Sequence, residues 1–120
     1  MIVNPELVKR FLEDFKTKLS IWGVLFRDDR GKNAQAILLL EISTVIREQI
    51  LKELKVEDYC EGPLDDILYG GASMWVFGKI IKSKTIETEV YIKITMGSPG
   101  SRVICISFHL AAHKMKYPLK

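Results

Sequence analysis

A phenol at Tyr91, an ammonium at Lys93, a hydroxyl at Ser107 and an imidazole at His109 stand at alternate positions in two runs near the carboxyl end, Val90-Tyr91-Ile92-Lys93-Ile94-Thr95-Met96 and Val103-Ile104-Cys105-Ile106-Ser107-Phe108-His109. Successive strand side chains point to opposite faces. Val90, Ile92, Ile94 and Met96 therefore share one side of the first run, and Ile104, Ile106, Phe108 and Leu110 are the apolar side of the second. Gly97-Ser98-Pro99-Gly100 between them makes the two runs the arms of one β-hairpin. If both apolar sides face one core, only two registers suit so short a loop. One sets Tyr91 across from His109 and Lys93 across from Ser107, and the other makes Tyr91 and His109 diagonal neighbours, about 5 to 8 Å apart. The polar face then gathers groups capable of acid/base work or phosphate contact.

The tail extends the same chemistry. His109 and His113 are four apart, a spacing that on a helix can hold a metal, but no Glu or Cys stands at a matching position, so no metal is expected. Beside Lys114 and Lys116 the imidazoles suit proton transfer or anion contact instead. The other acid-rich stretch, Val56 to Asp66, lacks the Asp-x-Asp-x-Asp-Gly ligand spacing of a calcium loop and reads as solvated turn acids or an acidic cap on a neighbouring basic surface. Cys60 and Cys105 have no CxxC spacing, and both read as small semi-buried residues. No cofactor is expected.

The chain's 120 residues, 48% hydrophobic and 28% charged, suit one globular domain over 1–120. Neither a signal peptide nor a membrane span is visible, which predicts a soluble cytoplasmic protein with no membrane partner. The net charge of +3 is unevenly spread, for residues 90 to 120 hold Lys93, Arg102, Lys114, Lys116 and Lys120 and no acid. An anionic partner such as nucleic acid is the natural complement.

The elements that must position these residues follow from local signals. Asn4-Pro5-Glu6 opens a helix, and Leu7, Val8, Phe11, Leu12, Phe15 and Leu19 give it an apolar face to about residue 19. Ile21 to Phe26 reads as a short strand, stopped by the turn-forming run from Arg27 to Asn33. Asn33 can cap a short helix from Ala34 to about Ile42, although Ala36 to Leu40 also fits a buried strand. Ser43 or Thr44 caps the next helix, in which Val45, Ile46, Ile50, Leu51 and Leu54 keep helical spacing to Lys55. Tyr69-Gly70-Gly71-Ala72 looks like a bend. Met74 to Ile81, apolar on both faces, reads as a central strand covered by helices, with Gly78 marking a bulge or a close approach. Strands at 74–81, 89–96 and 103–109 should form an antiparallel meander. The expected class is α+β, with N-terminal helices packed on a small antiparallel sheet.

This order of elements, with Asp58-Tyr59, a lone strand tryptophan at Trp75, the run Val90-Tyr91-Ile92-Lys93-Ile94-Thr95 and the terminal Ile106-Ser107-Phe108, resembles the MqsR family of toxin mRNA interferases. The resemblance implies a RelE-like ribonuclease toxin fold, RNA cleavage without a metal and neutralisation by a cognate antitoxin protein, with mRNA as substrate and the ribosome as a further partner. It also implies that Tyr91 is the active-site tyrosine and that His109 replaces a family lysine. A family lysine and glutamine fall near Glu61 and Val76, which cannot serve those roles.

RNA cleavage needs a base at the 2′-hydroxyl, a cation at the phosphoryl oxygens and an acid at the leaving 5′-oxygen. Tyr91, His109 and His113 are the candidate catalytic residues, and Lys79, Lys93, Lys116 and Arg102 the candidate substrate-binding cations. The competing expectation is a noncatalytic RNA- or protein-binding module, with Tyr91 and Trp75 as stacking platforms.

Overall fold

The computed structural model describes residues 4–28, 31–40, 42–65, 71–83 and 85–120. Helix α1 (Pro5–Trp22) begins as its sequence requires, for the Asn4 carboxamide oxygen accepts from the Glu6 N–H at 2.8 Å and Pro5 occupies the first turn. Val8, Phe11, Leu12, Phe15 and Leu19 are its buried stripe. The helix runs three residues past its expected end, so Ile21 and Trp22 are helical rather than extended, and both are exposed. Gly23 stops it: at φ +83° its N–H donates to the Leu19 carbonyl at 2.8 Å, a conformation a side chain would resist. Strand β1 is consequently only Val24–Phe26.

After β1 come α2 (Gly31–Leu40), α3 (Thr44–Lys52), a 3-10 turn (Val56–Asp58) and the strands β2 (Tyr59–Leu64), β3 (Met74–Lys82), β4 (Glu87–Thr95) and β5 (Val103–Leu110). They form one sheet in the order β1-β5-β4-β3-β2. The expected meander is β3, β4 and β5, all antiparallel. The class is α+β, but the sheet is mixed rather than antiparallel: β1 lies parallel to β5, with Val24 opposite Val103 and Phe26 opposite Cys105. Two helices and three strands separate β1 from β5 in the chain, which leaves ample length for a parallel return. The second correction is β2, which occupies part of the stretch read as turn acids. Its Tyr59 ring is buried edge-on against Trp75 and Phe77, and that anchoring makes an edge strand of a polar run. Asp29 and Arg30 of the first turn, Asp66, the Tyr69-Gly70 bend and Lys84 lie outside the described residues.

Phe11 of α1 stacks on Trp75 at 4.6 Å between ring centroids, which seats the helix on one face of the sheet. Trp75 is thus a core residue on the helix side and offers no ring to a partner on the other face. The helix side is the face of β3 on which α1 packs. The other face is crossed by the chain's last ten residues.

The hairpin register is the direct one: Tyr91 lies opposite His109 and Lys93 opposite Ser107. Directly after that pair the register slips, with Ile94 opposite Cys105 and Thr95 opposite Ile104, so Ile106 is an extra, bulged residue. The slip inverts the expected faces of the first half of β5. Val103 and Cys105 join Phe108 in the helix-side core, and Cys105 is fully buried instead of lying beside His109.

A buried side chain from α2 spans this slip. Asn33 lies inside the first turn of α2 rather than at its cap; its amide donates to the Arg27 carbonyl at 2.8 Å and the Ile106 carbonyl at 3.0 Å, and its oxygen accepts from the Phe108 N–H at 2.9 Å. Beyond the end of β1, this carboxamide substitutes for a neighbouring strand. In α3, Ser43 caps the helix, accepting from the Ile46 N–H at 3.2 Å. Val45 and Ile46 face solvent, and Arg47 takes the inward place. Its guanidinium lies 4.0 Å over the Phe26 ring and donates to both Asp28 carboxylate oxygens at 2.8 and 3.0 Å, so the buried charge is paired. Among the described residues no helix is long and apolar enough to cross a membrane.

Asn33→Ala strips three bonds from buried groups. It should lower the unfolding free energy by about 1–3 kcal/mol in urea titration; a change under about 0.5 kcal/mol would remove the amide from this role.

Candidate active site

The face of the sheet opposite the helices carries Val76 and Gly78 from β3, Tyr91 and Lys93 from β4, and His109 from β5, brought side by side by the register. Over it runs the segment 111–120, which is neither helix nor strand, so His113 is not four residues along a helix from His109. Glu89 holds this segment down. Its backbone carbonyl accepts from Ala111 N–H at 3.0 Å, and its carboxylate accepts from Met115 N–H at 2.8 Å and from the Tyr117 hydroxyl at 2.6 Å. Tyr117 and Met115 sit directly on Gly78, where a Cβ would come within 2.5 Å of the phenol oxygen and 2.9 Å of the thioether sulfur. The close approach marked by Gly78 is therefore that of the tail, which it admits by lacking a side chain. Burial, then the bond to Glu89, pushes the Tyr117 hydroxyl above its ordinary pKa, so it stays a donor.

Between this strap and β2, β4 and β5 lies a cleft of about 380 Å³ whose chemistry-bearing walls are Glu61, Tyr91, His109, His113, Lys114 and Lys116. The Tyr91 and His109 rings are stacked, with centroids 4.9 Å apart and planes within 7°. The Lys93 ammonium stands 5.9 Å from the Tyr91 ring centroid. His109 Nδ1 lies 3.0 Å from the Leu110 carbonyl oxygen. A carbonyl only accepts, so Nδ1 carries the proton and the neutral ring keeps its lone pair on Nε2. The imidazole is thereby oriented as a base, and becomes an acid once protonated.

Of the seven candidates, Tyr91, His109, His113 and Lys116 share the cleft and Lys93 flanks it. Lys79 does not: it faces the neighbouring depression and pairs with Asp58 at 3.5 Å. Arg102 sits at the far end of the hairpin, seven residues of strand or roughly 20 Å from His109, packed near Gly23. Glu61 and Lys114 enter the cleft without a signal in their spacing, Glu61 because β2 is an irregular edge strand and Lys114 because the strap's path depends on Glu89. Cys60 also borders the cleft, but burial, aided by Glu89 and other acids, pushes its thiol up to about 12, so it is no thiolate nucleophile at neutral pH. Among the described residues no group of three or more His, Cys, Asp or Glu is placed to hold a metal ion.

The latch carries a pH signature. Because the folded pKa of Tyr117 is raised above the ordinary 10.0, its contribution is full below that value and is lost as pH rises beyond it. The stability difference between the wild type and Tyr117→Phe should be constant from pH 6 to about 9 and shrink above about 10; in denaturant titrations, a difference that grows with alkalinity would contradict the latch.

Comparison with family models, with curated proteins and with solved structures found no match to this chain.

Proposed function

We propose that this protein is the toxin of a toxin–antitoxin pair, an endoribonuclease of MqsR-like type that cuts mRNA by general acid/base chemistry and is held in check by a cognate antitoxin protein. The observation that carries the reading is the stacked Tyr91–His109 pair on an open sheet face, sharing one cleft with His113, Lys114 and Lys116. A cleft of that size admits a phosphodiester and its flanking riboses, and its cations match the charge of the backbone. The resemblance carried by Val90 to Thr95 and Ile106 to Phe108 points the same way.

In this reading His109 Nε2 draws the proton from a ribose 2′-hydroxyl. The 2′-oxygen attacks the adjacent phosphorus as the bond to the 5′-oxygen breaks, and protonated His113 supplies the proton that the departing 5′-oxygen takes up. The products are a 2′,3′-cyclic phosphate and a 5′-hydroxyl. Tyr91 keeps the His109 ring in plane and hydrogen-bonds a phosphoryl oxygen, while Lys93 and Lys116 offset the charge that grows there. No step calls for a metal.

Purified protein incubated with a single-stranded RNA should release fragments ending in 2′,3′-cyclic phosphate, at a rate unaffected by EDTA. His109→Ala and Tyr91→Phe should each lower that rate by about 10² to 10⁴-fold with an unchanged circular dichroism spectrum. Wild-type rates in both variants would refute this site.

A further inference from the structure

His109 borders a second hollow. Between α2 and the first residues of the strap lies a cleft of about 270 Å³ whose walls include Lys32, Gln35 and Ala36 of α2 with His109, Ala111 and Ala112. His109, Ala111 and Ala112 therefore belong to both clefts, and the low side chains of the two alanines form the saddle between them. Lys32 and Gln35 are both exposed. The mouth facing the catalytic pair is thus apolar, and the outer rim offers one ammonium and one carboxamide.

We infer that this second cleft is a base-reading subsite: it takes the unpaired nucleobase next to the scissile phosphate, with Gln35 and Lys32 setting which base is preferred there. The inference rests on the nuclease reading above. A strand whose phosphate lies against His109 can continue over the Ala111-Ala112 saddle, and a base splayed from that backbone on the α2 side meets this hollow. Single-stranded RNA is read by stacking a splayed base on a ring, here that of His109, with polar groups meeting its edge. Ala36 and the alanines supply the wall. Gln35 offers a donor and an acceptor on one planar group, which can discriminate a base edge, whereas the Lys32 ammonium donates only and meets a base or phosphate oxygen. Both residues stand on a helix that Asn33 fastens to β5, so the rim is held at a fixed distance from His109.

The test is to digest a randomised RNA pool with the full-length protein and sequence the fragment ends. The wild type should show a base preference of about 10-fold at one position flanking the cut. Gln35→Glu replaces the amide donor by an acceptor and should change which base is preferred at that position, while Lys32→Ala should flatten the preference there. Cleavage by the wild type with the same base preference in both variants overturns the subsite and leaves the nuclease standing. No cleavage by the wild type overturns the nuclease reading and the subsite with it. The exposure of both side chains keeps folding out of the comparison.

Discussion

The bulge at Ile106, clasped on its open edge by the Asn33 carboxamide, is the constraint on which the rest of the molecule depends. It lets one strand serve two masters. Ahead of the bulge Val103 and Cys105 point into the helix-side core; behind it Phe108 does so again, and His109 falls on the opposite face across from Tyr91. A strand of unbroken alternation could not place Val103, Cys105 and Phe108 on one side together. The extra residue leaves an unpaired carbonyl and N–H where β1 has already ended, and a buried amide from α2 satisfies both. The helix, the sheet edge and the imidazole are fixed relative to one another by the same three hydrogen bonds.

The opposite face is organised by a different economy. The last ten residues have neither helix nor strand to hold them, so a single carboxylate does the work, Glu89 binding the strap at one backbone and one side-chain point while Gly78 gives it room. The strap turns a flat sheet into a cleft and carries His113, Lys114 and Lys116 into it. These three reach the site on a segment tied at a few hydrogen-bonded points, whereas Tyr91 and His109 stand on paired strands.

Much of this was legible in the residues. The cap at Asn4, the apolar stripe of α1, the meander and the Tyr91–His109 pairing all follow from local chemistry or from period-two alternation that tertiary structure respects. What was hidden depended on distant partners. The alternation in β5 is regular on paper, and only the competing demand of the core for Val103 and Cys105 reveals the slip. Tyr59 anchors an edge strand through Trp75 and Phe77, which no local signal in Tyr59-Cys60-Glu61 announces. Arg47 stands where helical spacing favours an apolar residue, because Asp28 and the Phe26 ring are there to receive its charge. For the site itself, the strand-borne residues were visible by spacing, Glu61 only as a position where the family residue is missing and Lys114 only as part of a basic tail; the paths of β2 and of the strap bring both into the cleft.

The central claim is that Tyr91 and His109 act as one unit on a phosphodiester. A double-mutant cycle on RNA cleavage by Tyr91→Phe, His109→Ala and the combined variant tests it most directly, since groups that act together lose their joint effect once either is gone. If they do, the combined variant is no more than about threefold slower than the worse single variant. Losses that multiply in full would contradict it, for the Tyr91 hydroxyl and the His109 imidazole would then be contributing separately.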